Sequence, residues 1–228
     1  MLFLPADPVI VDAGAHIGDD TRVISRLWPA ATIHAFEPVP ALFQRLLANT
    51  QGIGNIHCYP LALAGETGTA TFYVSGGGGD ASSSLLAPKE TFTINPHVTF
   101  PETISVPTMT LDDWAEQHNF DRVDFLWLDM QGAELALLES SPVLLSRVQV
   151  IHLEVSIVEL YEKNPLYTEV SDWLNRQGFE LEVEEIIPAS SGNALFLRRN
   201  NPVRWDRIFY LVYRQAIKLF GSGSNASS

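Results

Sequence analysis

Four short apolar runs in this chain each end in a carboxylate. They are Val9-Ile10-Val11 at Asp12, Thr32 to Phe36 at Glu37, Val123 to Leu128 at Asp129, and Val148 to Leu153 at Glu154. Runs of this length read as buried strands, and the segments between them carry turns and helical spacing. Strands alternating with helices predict a parallel sheet covered by helices. Ligands of such sheets bind outside the carboxyl ends of the strands, so the pattern places four acids where a ligand belongs. The opposing reading is that Asp and Glu are simply common where strands meet loops.

Between the runs, helices are expected over Asp19 to Trp28, stopped by Pro29, and from Pro40 to Asn49, with Pro40 suited to a first helical position. Asn55 to Tyr59 reads as a third strand. The alternation then breaks. Thr69 to Val74 is an extra strand, Gly76 to Gly79 with Ser82, Ser83 and Ser84 a mobile loop, and Thr103 to Val106 a short strand, while residues 85 to 101 carry no readable pattern. Thr110 caps a helix over Leu111 to His118, and another helix begins near Gly132 and Glu134. A helix from Thr168 to Gln177 stops at Gly178, and Phe179 to Glu184 with Ala194 to Arg198 form a closing antiparallel pair.

Length and charge narrow the function. A chain of 228 residues is enough for one ordinary domain, expected over residues 1 to 200. Its net charge of -13 opposes a phosphate backbone, so nucleic acid is not the expected partner. A single cysteine, Cys58, excludes an intrachain disulfide framework and points to a reducing cytoplasm. No apolar stretch approaches a membrane span, and Met1-Leu2-Phe3-Leu4 lacks the basic flank of a targeting segment.

The first turn, Asp12-Ala13-Gly14-Ala15-His16-Ile17-Gly18, carries the sharper signal. Gly14 permits a tight turn with close ligand approach, and Gly18 lets the following helix pack near the strand. Glu37, ending the next strand, can accept hydrogen bonds from both hydroxyls of an adenosine ribose. A dinucleotide site wants G-x-G-x-x-G, which His16 interrupts. A carboxylate at Asp12 repels a pyrophosphate but can hold an ammonium group, which favours S-adenosylmethionine over NAD. His16 either contacts the cofactor or fills and caps the loop.

Five segments in order resemble the FkbM-type methyltransferases, a family of class I S-adenosylmethionine-dependent enzymes. They are Val11 to Gly18, Ala35-Phe36-Glu37-Pro38, Ser82 to Leu85, Val106 to Asp112, and Leu128-Asp129-Met130-Gln131-Gly132-Ala133-Glu134. The family usually carries Asn where His16 stands and often an acid where Gln131 stands. The resemblance implies an α/β, Rossmann-like class I methyltransferase sandwich, with a seven-stranded, mostly parallel sheet and helices on both faces. Its first and fourth strands would be central neighbours. It implies a cofactor site of Asp12, Ala13, Gly14, Ala15, His16, Gly18, Glu37, Pro38, Ala62, Ser83 and Asp129. In that site the first turn lines the methionine side, Leu61-Ala62-Leu63 lies near the adenine, and Ser83 and Ser84 close over the cofactor.

Transfer to a hydroxyl gains from a base that takes its proton as the new bond forms. Asp129 is the first choice for that base, with Glu134 and Glu154 next. His152 follows strand alternation and reads better as a core residue. The same three acids could offer oxygen ligands to Mg²⁺, but no adjacent Asp-Asp pair follows the fifth strand, and no metal is assigned. Asn164-Pro165-Leu166-Tyr167 imitates an amide-clamping motif but falls after the wrong strand. The expected activity is O-methylation of a sugar, glycan or polyketide-like acceptor, a class that comes from the resemblance. The alternatives are a cofactor-binding interaction module and an NAD-dependent oxidoreductase.

From Arg198 to Phe220 the chain turns basic, with Arg204, Arg207, Arg214 and Lys218 interleaved with Trp205, Phe209, Leu211 and Ile217. An amphipathic helix over Val203 to Phe220 is expected, packed on the domain or at a dimer contact. A second reading is docking on an anionic membrane or a lipid-linked acceptor, which would make the protein peripheral. Residues 221 to 228 read as a disordered tail.

Overall fold

A computed structural model of the chain describes residues 4–77, 79, 81–187 and 190–200. The expected basic helix over Val203 to Phe220 and the tail beyond it lie outside the described residues. The first strand β1 (Val9–Ala13) leads through helix α1 (Asp19–Leu27) to β2 (Thr32–Phe36), then through α2 (Pro40–Thr50) to β3 (Ile56–Tyr59). Strands β4 (Ala62–Leu63) and β5 (Gly68–Gly77) follow, then the short α3 (Thr91–Ile94) and the long β6 (Val98–Met109). The chain continues through α4 (Leu111–His118), β7 (Phe125–Leu128), α5 (Glu134–Glu139), α6 (Pro142–Leu145) and β8 (Val150–Ser156). It closes with α7 (Tyr167–Arg176), β9 (Phe179–Ile186) and β10 (Ser191–Arg198).

Seven strands form one sheet in the order β3-β2-β1-β7-β8-β10-β9, and β10 alone runs against its neighbours. The order reverses at β1, which pairs with β2 on one side and β7 on the other, so a crevice opens at the centre. Side chains alternate across the strands and supply two cores. Val11, Leu126, Leu128, Ile151 and Leu153 pack under Trp114, Leu137 and Leu174 on one face. Ile10, Phe125, Trp127, Val150 and Leu195 pack with Val23 and Ile24 of α1 on the other. The N-cap expected at Thr110 forms, its hydroxyl accepting from Asp113 N at 3.1 Å.

Four expectations change. The extra strands build a second sheet, β4-β6-β5, whose Val106 and Phe72 pack with Leu42 of α2 beside the crevice. Strand β6 is twelve residues long, far beyond Thr103 to Val106; Pro101 and Pro107 and its mostly exposed side chains hide the strand pattern. The serine segment expected to be mobile is fastened instead. Ser84 bridges Tyr73 of β5, and Ser83 Oγ accepts from Ser75 N at 2.9 Å. Finally, Glu154 does not end its strand, because the ladder to β10 continues to Ser156 paired with Ser191.

Candidate active site

The crevice is built by turns pressed together at the ends of β1 and β7. Gly14 has φ +88°, and a Cβ built on it would lie 1.9 Å from the backbone oxygen of Asp129. The close approach that demands glycine here is therefore made by the opposite lip of the cleft, where the sequence suggested a ligand. Gly14 N and Ala15 N both donate to Phe36 O, at 3.1 and 2.9 Å, tying the turn to β2. His16 follows in a left-handed conformation, φ +50°, which His and Asn tolerate better than most residues.

Glu37 joins the turns. Its Oε2 accepts from His16 N at 3.0 Å and its Oε1 from Val39 N at 2.7 Å. Each oxygen keeps a further lone pair, and Glu37 lines the cleft although its side chain is largely buried. Burial pushes its carboxyl up to about 7, against the pull of the two N–H donors.

The cleft holds about 520 Å³ of empty space, its opening to solvent included. Of the expected cofactor residues, Ala13, Gly14, His16, Glu37, Pro38, Ala62, Ser83 and Asp129 line it. Sequence reasoning missed its apolar wall of Phe36, Leu42, Phe72 and Leu85, contributed by β2, α2, β5 and the serine segment. Helical and strand periodicity marked some of these residues as core, but nothing local marked them as facing a cavity.

Other expected residues sit behind the cleft. Asp12 shares its face of β1 with Ile10, so its carboxylate turns under the sheet end and accepts from Thr21 Oγ1 at 2.5 Å. It is 1% exposed, and burial, with Asp20, Asp129 and Glu37 nearby, pushes it up to about 7. A contact with a cofactor ammonium is not open to it in this arrangement. Ala15 is packed with Ala35 and Leu46, and a Cβ at Gly18 would meet Leu46 Cδ1 at 2.6 Å. Glu134 is 3% exposed; its two oxygens accept from Met130 N at 2.7 Å and Gly132 N at 3.0 Å. It shapes the loop after β7 and, pushed up to about 7 by burial, does not face the cleft. Glu154 lies deeper on β8, accepting from Ser191 Oγ at 3.0 Å. His152 stacks on Trp127 at 3.5 Å between centroids, and burial drives it down to about 3, which keeps the ring neutral. Asn164 braces the loop after β8, its Oδ1 accepting from Tyr161 N at 2.9 Å.

Asp129 stands at the lip. Its Oδ1 accepts from Gln131 Nε2 at 2.7 Å, and the same amide nitrogen donates to Glu154. Asp129 is exposed on the cleft side, yet the protein packed around its carboxyl displaces water and raises its proton affinity. Glu154, more deeply set, is raised more strongly, with Asp129 and Glu134 also facing it. Among the described residues no three His, Cys, Asp or Glu side chains gather as a metal-ligand set.

This surplus of raised carboxyls makes stability depend on pH. Asp12, Glu37 and Glu134 hold protons up to about 7 and Asp20 up to about 6 when folded, against the ordinary carboxylate range when unfolded. The folded state then binds more protons, so these groups favour folding at low pH and lose that effect as pH rises through about 7. His34 and His152, both lowered to about 3 by burial, act in the opposite sense below the ordinary histidine value. Between pH 6 and 8 the acids outnumber them, and the thermal midpoint of the free protein is expected to fall across that interval. Calorimetric melts at pH 6, 7 and 8 check this; a rising midpoint contradicts it.

The donor set suits a cofactor with an adenosine half and a cationic half. The apolar wall offers a place for the base, Glu37 has lone pairs for ribose hydroxyls, and Asp129 gives a carboxylate at the other end. Among the described residues the lining contains no Lys or Arg to meet a pyrophosphate. Sheet order and cleft together define the class: a Rossmann-like, S-adenosylmethionine-dependent methyltransferase. Within that class, the model of the methyltransferase FkbM domain matches residues 12–181, and the chain belongs to the FkbM methyltransferase family.

A curated relative from Sinorhizobium fredii, the 2-O-methyltransferase NoeI, is 34% identical over 161 residues, covering 68% of this chain and 66% of its own. The chain thus spans about two thirds of that relative's length. Methyltransferase 1 of Beauveria bassiana is 27% identical over 191 residues, covering 79% and 75%. Among solved structures, a Methanococcus jannaschii fibrillarin pre-rRNA processing protein superposes with TM-score 0.52 at 13% identity, over 87% of this chain and 69% of that one. The last likeness concerns the fold alone.

Proposed function

We propose that the protein methylates a hydroxyl oxygen of a sugar, glycan or polyketide-like acceptor. The observation that carries the reading is Asp129: a carboxyl at the carboxyl end of the central β7, on the cleft lip, with its proton affinity raised. The name of the Sinorhizobium relative supports oxygen as the acceptor atom.

When bound, S-adenosylmethionine supplies a methyl group on a positively charged sulfur, open to displacement. Glu37 would hold the ribose, and Phe36, Leu42, Ala62 and Phe72 would enclose the adenine. Asp129 accepts the proton of the acceptor hydroxyl as the oxygen–carbon bond forms, and its raised affinity matches a base working near neutral pH. The fastened serine segment lines the cleft, with Ser83 and Leu85 on its inner side. We place the protein in the cytoplasm. Among the described residues no helix is long and apolar enough to cross a membrane.

Titration calorimetry with S-adenosylhomocysteine tests the cofactor assignment, with NAD⁺ in parallel and EDTA in a repeat. Saturable binding of S-adenosylhomocysteine alone is expected, weakened by roughly 30-fold or more in Glu37→Ala, the loss of hydrogen bonds to a charged group. Binding of neither ligand would favour an interaction module. A loss in EDTA would bring Mg²⁺ back into the site.

A further inference from the structure

Three segments of the chain converge on one side chain behind Asp129. Gln131 adopts φ +55°, in the left-handed region, with Gly132 beside it at φ +100°. A Cβ at Gly132 would lie 2.8 Å from Asn164 Cβ and 3.2 Å from Leu86 Cδ1, so the loop is clamped between the serine segment and the loop after β8. The Gln131 amide nitrogen donates to Asp129 Oδ1 at 2.7 Å and to Glu154. Its amide oxygen accepts from the Tyr161 hydroxyl at 2.9 Å, and its backbone oxygen accepts from Ser84 Oγ at 2.8 Å. Tyr161 is 2% exposed and reaches Ser82 O at 2.8 Å as an alternative acceptor for its one proton.

We propose that Gln131 and Tyr161 are positioning residues for the reacting carboxylate: Gln131 holds Asp129 at the cleft lip through its carboxamide, and Tyr161 braces that carboxamide. Two carboxyls facing each other without a donor between them would turn apart or bind a further proton. The amide supplies a donor to each, and the hydroxyl on its other side fixes which end carries the N–H groups. The Ser84 bond carries the same constraint to the segment over the cleft. Asp129 is thereby pinned on one oxygen. The groups acting on it come from every neighbouring element: His16 from the first turn, Asp12 of β1, Asp20 of α1, Glu134 at the start of α5, Glu154 of β8 and Tyr161. The inference rests on reading Asp129 as the carboxylate on the acceptor side.

The test is a carbon-13 NMR titration of aspartate carboxyls in the full chain, with Asp129→Asn identifying the signal. In the wild type that signal should titrate above the ordinary aspartate range. Gln131→Ala should move its midpoint up by about one pH unit, tenfold in proton affinity, as the donor to the charged form is lost. Tyr161→Phe should move it in the same direction by about half as much. Leu174→Ala, a truncation in the core beneath α7, should lower the melting temperature and leave the midpoint in place. An unmoved midpoint in both Gln131→Ala and Tyr161→Phe overturns the proposal, as does an equal shift in Leu174→Ala. If Gln131→Ala does not fold, Tyr161→Phe decides. The titration needs no ligand, so failure to bind S-adenosylhomocysteine would count against the proposed function while this result still decides what positions Asp129.

Discussion

Asp129→Asn should lower turnover by about 10²–10⁴-fold on an acceptor found among hydroxylated sugars, the range expected when a general base is removed. The substitution keeps the shape and an oxygen able to accept from Gln131 Nε2, so the lip of the cleft should stay in place. What goes is the ability to take a proton. Glu37 and the apolar wall are untouched, so S-adenosylhomocysteine should bind more weakly only by what the lost charge at the cationic end of the cleft contributes, far less than turnover falls, separating chemistry from cofactor binding. Glu134→Gln is the comparison. Its carboxylate is engaged by Met130 N and Gly132 N, away from the cleft, and an amide replaces one acceptor oxygen with a donor facing an N–H. That variant should lose stability first and turnover only as the loop loosens. Full turnover in Asp129→Asn on a genuine acceptor would remove it as the base and leave Glu154, held by the same Gln131 amide, as the remaining carboxyl beside it.

The acids that separate these outcomes look alike in sequence, which shows how far the pattern could be read. Apolar runs ending in Asp12, Glu37, Asp129 and Glu154 were enough to expect a parallel sheet and to aim attention at the end where the cleft opens. They could not say which carboxylates face the cleft. That depends on strand phase and length. Asp12 shares its face with Ile10 and turns inward to Thr21, and β8 runs two residues past Glu154 because β10 pairs there. Glu37 and Asp129 come after their strands have ended, where the chain bends into the opening. The second sheet was partly hidden for a different reason. Prolines at 101 and 107 and a mostly exposed surface leave β6 without the alternation that betrays a strand. Gln131 stood out only as a departure from the resemblance and Tyr161 not at all, since the contact that pairs them joins residues 30 apart in sequence.

Gly14→Ala should be severely damaging, and the reason can be isolated. Two costs apply. A side chain at φ +88° strains the backbone by about 1–2 kcal/mol. The added methyl would also lie 1.9 Å from Asp129 O and 2.9 Å from Asp129 C, backbone atoms of the facing turn that no rotamer change can withdraw. Gly52 supplies the control. Its φ is +81°, nearly the same, but a Cβ there meets nothing within 4 Å. Gly52→Ala therefore reports the backbone strain alone, about 1 kcal/mol, or a few degrees in melting temperature. Gly14→Ala adds overpacking of a kind that costs about 1–3 kcal/mol or more, for a fall of roughly 10 °C. Because the clash pushes the two lips apart, it should also weaken S-adenosylhomocysteine binding in whatever fraction folds, an effect absent from Gly52→Ala. Equal melting temperatures for the two variants would mean that the turns are not held together as tightly as the Gly14–Asp129 contact requires. The cleft would then owe its shape to the ligand rather than to the fold.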